Sequence, residues 1–391
     1  MLSLFVELIQ IALGTRTVLS RIPSENEWQQ IYETAAKQSL VGVVLHGIEE
    51  LRAKNVELSV PKMLLLQWIG GVQMIEQQNK KLNEAAEHLT RIFKNGGLRS
   101  CVLKGQGVTR LYDVRCKKSD VRSQNSEQSS ESSRVKEFKG SSGSLSLRRQ
   151  PGDIDLWVEG GREIVLKFLK DSYFGLGKVV IHHVDARIIE GVETEIHFIP
   201  VYGCNPFLHH RLQCFFRQHA DEQFSNINKE LGFAYPTLRF NAVYILAHIY
   251  MHFLYEGIGL RQIVDYYYVL KNLDDEGRKL AASDIKKVGL LKFAGAVMLV
   301  LQRVCGMDDN SLVTKPDDKR GRLLLDEIMV SGNFGKYDDR LKNRDDKNLV
   351  LFNLLALKRQ LRFLRYYPMD VISIPFFKVW HWCWRKKKGY R

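Results

Sequence analysis

Asp153 and Asp155 stand one residue apart in the run Pro151-Gly152-Asp153-Ile154-Asp155-Leu156-Trp157-Val158. In an extended chain alternate side chains share a face. The two carboxylates therefore point one way while Ile154 and Leu156 point the other. At a rise of roughly 3.3 Å per residue the carboxylates lie about 7 Å apart along the strand. Like charges on one face repel unless a cation sits between them. A hard divalent ion such as Mg²⁺ accepts such oxygens and also binds substrate phosphates. The pattern offers metal-assisted chemistry at a phosphate. The plainer reading is two solvated aspartates at a strand end.

The flanking stretches favour the chemistry. Upstream, Cys101 to Val108 is a short apolar strand running into the turn Lys104-Gly105-Gln106-Gly107 and a helix. Downstream, Val192-Glu193-Thr194-Glu195-Ile196-His197-Phe198 alternates as a strand and can bring Glu195 to the same face as a third carboxylate.

Strand, glycine turn, helix, Asp-x-Asp strand and acidic strand is the order used by the DNA polymerase β-like nucleotidyltransferase superfamily. The stretches Leu103 to Gly107, Arg148 to Trp157 and Glu195-Ile196-His197 resemble one branch of it, the bacterial uncharacterised nucleotidyltransferase family. In the wider superfamily a Ser or Gly usually follows the turn glycine; this chain has Gln106. The resemblance implies an α+β fold, a small mixed β-sheet core flanked by N-terminal and C-terminal helical regions. It implies an enzyme that moves a nucleoside monophosphate from an NTP such as ATP to a hydroxyl of RNA, protein, peptide or small molecule. Asp153 and Asp155 would hold two Mg²⁺ ions, with Glu195 completing the site that activates the acceptor. Such ion pairs stabilise the attacking and leaving oxygens of an in-line displacement. Gly105 and Gly107 would let backbone N–H groups approach the triphosphate, with Lys104 and Arg149 as charge partners. The competing reading is a degenerate domain that holds nucleotide or RNA without turnover.

The chain has 391 residues, 45% of them hydrophobic, enough for a substantial core in two or three domains. A formal charge of +14 favours polyanionic partners, RNA among them, or an acidic membrane surface. The six cysteines include no Cys-x-x-Cys pair, which argues against a zinc ribbon and a disulfide framework and fits a reducing, cytoplasmic setting. Met1 to Leu19 is apolar without a basic leader, so an amphipathic helix is expected there instead of a signal peptide. No apolar run is long enough to predict a transmembrane helix.

Three regions follow from the patterning. Residues 1–97 read as helical, with a capping box at Ser24 and Glu27, a long apolar stripe from Leu65 to Phe93, and a stop at Asn95-Gly96-Gly97. Residues 98–205 form the expected catalytic core. Within it, 114–149 is about one-third serine and poor in large apolar residues, which predicts a disordered surface insert. Strands are expected at 178–185, 186–190 and 192–200, with a tight turn at Glu190-Gly191. Residues 206–391 read as helical.

In that last region His248 and His252 share a helix face. They read as a polar seam on the cleft or a core pair, ahead of a metal site. Arg261 and Asp265 are spaced to pair across one helical turn, which would set Arg261 over the cleft as a phosphate ligand. The C-terminus combines Lys358, Arg359, Arg362 and Arg365 with Phe376, Phe377, Trp380, Trp382 and Trp384, ahead of Arg385-Lys386-Lys387-Lys388. Stacking on RNA, lying in a membrane interface, and docking on the core all remain open.

Overall fold

The computed structural model describes residues 2–113, 144–338, 340 and 349–390. Four helices lead: α1 (Leu2–Leu13), α2 (Glu25–Lys37), α3 (Val41–Ala53) and α4 (Lys62–Asn95). The expected capping box opens α2, with the Glu27 carboxylate accepting from the Ser24 amide at 2.9 Å. Helix α4 is 34 residues long and serves two cores. Trp68, Val72 and Ile75 join the large helical core, while Leu82, Ala86, Leu89 and Phe93 cover the back of the sheet. Gly97 at φ +76° turns the chain into the sheet, a conformation glycine adopts without strain.

Among the described residues the sheet has the order β1-β2-β5-β4-β3: β1 (Ser100–Val102), β2 (Ile154–Val158), β3 (Gly175–Val179), β4 (His183–Arg187) and β5 (Thr194–His197). Only the central β2–β5 pair is parallel. A short helix, α5 (Gln106–Thr109), follows β1, and α6 (Gly161–Asp171) follows β2. Ile154, Leu156 and Val158 pack with Val184, Ala186 and Ile196 on the back face against α4 and α6. That burial fixes the pleat, so Asp153 and Asp155 must face the other way.

The strand boundaries differ from expectation. The chain turns at Val180 to His182, where the Val180 amide meets the His183 carbonyl at 2.9 Å, and β4 ends at Arg187. The apolar Val179-Val180-Ile181 run reads as continuous strand, but pairing of Val179 with Val184 requires a tight turn between them. Glu190-Gly191 does lie in the β4–β5 connection, in a loop longer than a two-residue turn.

Of the expected insert, 114–143 lies outside the described residues. Residues 144–149 correct its boundary: Leu145–Arg148 form a 3₁₀ turn with Leu145, Arg148 and Arg149 buried. The Arg148 guanidinium pairs with Glu49 and with Glu76, the latter at 2.9 Å, and Asn79 of α4 donates to the carbonyls of Leu147 and Arg149 at 2.6 and 2.8 Å.

The remaining helices are α7 (Pro206–Ser225), α8 (Leu238–Tyr255), α9 (Leu260–Lys271), α10 (Asp275–Val288), α11 (Leu291–Cys305), α12 (Asp318–Ser331), α13 (Leu349–Leu361) and α14 (Pro368–Lys388). Trp157, on the acidic face of β2, packs against Phe224 and Phe240, bringing α7 and α8 over that side. Helix α14 docks through Val371 and Ile374, with Phe377 stacked on Tyr202 at 5.1 Å. Arg359 and Arg362 are not a free basic surface. Both pair with the buried Glu327, at 3.3 and 2.5 Å, and Arg359 also donates to the Phe253 carbonyl. No helix of the described residues is long and apolar enough to cross a membrane.

Candidate active site

Register builds the site. Asp155 of β2 stands opposite Glu195 of β5, and Glu195 stands opposite Asp185 of β4. A row of acids thus crosses three strands on the face away from the α4–α6 core. Carboxylate oxygens of Asp153, Asp155 and Glu195 lie within 4.8 Å of one another. Lys104, at the end of β1, extends its ammonium into this group. It lies 3.0 Å from Asp155 Oδ2 and 3.8 Å from Asp153 Oδ2.

Histidines close the other sides. His197 Nε2 sits 2.9 Å from Asp155 Oδ1 and 3.3 Å from Glu195 Oε2. His183 Nδ1 lies 3.2 Å from Glu195 Oε2, and its Nε2 lies 3.2 Å from Asp185. From α8, His248 Nε2 lies 3.4 Å from Lys104 Nζ and 3.1 Å from His252 Nε2. The two α8 histidines form a polar seam on the cleft, as the first of their readings has it. All of these groups except Asp185 border a cleft of about 300 Å³. Beside it an open groove of about 930 Å³ runs from Asp153 and Glu195 along Ile188 to Val192.

The charges divide sharply. Burial disfavours a charged Lys104, but Asp153 and Asp155 override it and hold the ammonium above its usual range. Burial likewise opposes an imidazolium at His197, yet its contacts with Asp155 and Glu195 raise it to about 9. Glu195 is lowered to about 2, against burial, by the His197 hydrogen bond and the Lys104 charge. Burial pushes His182, His183 and His248 downward, and neighbouring positive charge adds to the effect.

Several expected site residues turn to protein partners. The Arg149 guanidinium forms a two-toothed contact with Asp265, both bonds at 2.7 Å, and Tyr112 donates to the same carboxylate at 2.7 Å. Arg261 donates to the carbonyls of Gln150 and Pro151 at 3.0 and 3.2 Å. The Asp265 hydrogen bonds expected for Arg261 thus go to Arg149, because a planar fork reaching across from another element makes both bonds at once. Burial beside Arg149 pushes Arg261 down to about 10. Gly105, at φ +60°, makes the turn under Lys104. At Gly107 a Cβ would stand 2.2 Å from the Val102 carbonyl, so that glycine serves close packing on β1. The buried Gln106 donates to Asn79 Oδ1 at 3.0 Å, away from the acids.

His183 and His197 carry no site role in the sequence reading, and Asp185 enters it only as a substitute for Glu195. Alternation beyond Glu195 marks His197, whereas His183 and Asp185 need the β4 register. The donor set fits a divalent ion: three carboxylates converge, and the buried Asp155 Oδ2 makes no aligned hydrogen bond, facing the Lys104 ammonium instead.

Paired aspartates on one strand, a third acid opposite on its parallel neighbour and a Lys-Gly turn beside them define a protein of the nucleotidyl-transfer class. The chain belongs to the uncharacterised nucleotidyltransferase family, whose model matches residues 24–115 and 144–306. No curated protein and no solved structure matches it.

Proposed function

We propose that this protein transfers a nucleoside monophosphate from an NTP to a hydroxyl acceptor in the cleft of Asp153, Asp155 and Glu195. The observation that carries the reading is the pairing of Asp155 with Glu195 in parallel register, with Asp153 completing the oxygen group. Divalent ions held there would neutralise charge at the α-phosphate and polarise the acceptor hydroxyl. Lys104, released from the two aspartates, turns its charge to the triphosphate. The groove at Ile188, Ile189 and Val192 gives an apolar wall for a base. Arg261 and Arg149 act on the nucleotide indirectly, by fixing the Gln150-Pro151-Gly152 approach to β2.

The test is incubation of pure protein with each α-labelled NTP, divalent ions and cell lysate. The wild type should label an acceptor with release of pyrophosphate, and Asp153→Asn should not. Absence of label with every NTP, or full labelling by the variant, overturns the reading. Nuclease or protease sensitivity of the product names the acceptor class.

A specific feature adds a place of work. Met369, Ile372, Phe376, Val379 and Trp380 of α14 are exposed at spacings of three, four, three and one, a single apolar stripe. Exposed Leu354, Leu357, Leu361 and Leu364 make a second stripe on and just beyond α13. Lys358, Arg365, Lys386, Lys387 and Lys388 are exposed around them. An apolar face rimmed by cations suits an anionic membrane surface, with the helix lying in the interface.

A further inference from the structure

Two imidazole nitrogens converge on one oxygen of the acidic row. His183 Nδ1 and His197 Nε2 lie 3.2 and 3.3 Å from Glu195 Oε2, and the three donor atoms are within 4.8 Å of one another. Ligands bonded at roughly 2.0–2.1 Å to a tetrahedral ion stand about 3.4 Å apart. Both nitrogen–oxygen separations match that edge, and the third lies within reach of it.

The far nitrogens strengthen the case. His197 Nδ1 lies 3.3 Å from the Ile199 carbonyl. A carbonyl only accepts, so Nδ1 carries a proton. The second proton, on Nε2, lies between the ring and the Asp155 and Glu195 carboxylates in the metal-free protein, and an ion that displaced it would take the Nε2 lone pair. His183 Nε2 lies 3.2 Å from Asp185 Oδ1, also an acceptor, so a proton held there frees Nδ1 to face an ion beside Glu195. Metal-bound histidines are held in this way, each donating its other N–H to a carbonyl or carboxylate. His182 Nε2, 3.0 Å from His183 Nδ1, can donate to it in the metal-free protein, and an ion would replace that contact. Asp155 Oδ1, 2.9 Å from His197 Nε2, supplies a fourth donor at the edge.

We propose that His183, Glu195 and His197, with Asp155 beside them, bind a divalent transition ion of the Zn²⁺, Co²⁺ or Mn²⁺ kind in preference to Mg²⁺. Imidazole suits these ions, whereas Mg²⁺ demands an oxygen shell and keeps its waters. The proposal deepens the transfer reading, with which it shares Glu195 and Asp155, by assigning one ion of that site to the transition series. Asp185 is a positioning residue for the His183 ring.

The experiment reads metal alone. Tag-free, chelator-stripped protein is titrated with Mn²⁺, free ion being followed by electron paramagnetic resonance, and Mg²⁺ and Zn²⁺ are added as competitors. Mn²⁺ should bind at least tenfold tighter than Mg²⁺, and Zn²⁺ should displace it. The electron spin echo of bound Mn²⁺ should carry ¹⁴N modulation from imidazole. His197→Gln and His183→Gln should weaken or remove that modulation, and Asp185→Asn should cost about 10–100-fold in affinity. A wild-type echo without ¹⁴N modulation, or equal affinity for Mn²⁺ and Mg²⁺, overturns the proposal and needs no variant to fold. No NTP is present, so failure here and failure of the transfer reading are separate results.

Discussion

Asp153→Asn and Asp155→Asn remove like charges one residue apart, and the structure predicts very different costs in metal-free protein. Asp155 is fully buried and meets Lys104 Nζ at 3.0 Å and His197 Nε2 at 2.9 Å. At an effective dielectric near 20, unit charges 3.0 Å apart attract by roughly 5.5 kcal/mol. Asparagine would leave the buried Lys104 ammonium with Asp153 at 3.8 Å as its nearest paired carboxylate. Breaking a buried pair from one side costs about 3–5 kcal/mol. Asp153 has a side chain 28% exposed and meets Lys104 only at the longer distance, so solvent screens the pair and its loss should cost about 1 kcal/mol, well below that of Asp155. Sequence alone gives the opposite sign: two repelling carboxylates on one face should be relieved by neutralising either. Urea unfolding at pH 7 in chelator measures both variants. Adding Lys104→Met to Asp155→Asn should recover part of the loss, with a coupling energy of about 1–3 kcal/mol. Equal, small costs for the two aspartates, or coupling below about 0.5 kcal/mol, would refute the claim that Lys104 is a buried counter-charge.

The pH dependence of stability should follow His197. Its folded value of about 9 exceeds an unfolded value near 6.5, so the protonated ring stabilises the fold fully below about pH 6.5, and that stability is lost as pH rises through 9. The difference is worth about 3 kcal/mol. Unfolding free energies in chelator at pH 6 and pH 9.5 should show it, and His197→Gln should flatten the change. Asp265→Asn strands the buried Arg149 guanidinium and should cost about 3–5 kcal/mol by the same urea assay; a cost under about 1 kcal/mol would mean the pair is dispensable. For the C-terminal face, binding to phosphatidylserine vesicles should shift tryptophan emission to the blue. Phe376→Ser with Trp380→Ser should weaken it by at least roughly 100-fold, each large apolar side chain contributing about 1.5–3 kcal/mol. No vesicle binding, with salt-steep binding to tRNA instead, would make the partner RNA.

Alternation with period two is a local property, and it makes Asp153 and Asp155 legible as a pair on one strand face. It also puts Glu195 on a strand of the right character. The α+β class, the long stripe of α4 and the helical C-terminal region follow from equally local patterns. Other features depend on partners far apart in the chain. Arg149 and Asp265 meet across 116 positions, whereas the four-residue spacing of Arg261 and Asp265 is the nearer guess. The 144–149 stretch looks like the tail of a polar insert until Glu49, Glu76 and Asn79 meet it. Asp155 faces Glu195, and Glu195 faces Asp185 and His183, only because back-face burial sets which residues of three strands stand abreast. Composition marks the carboxylates, but register decides that Lys104 and His197 neutralise them. Register is set by side chains on the opposite face of the sheet, so no pattern confined to the site residues can reveal it.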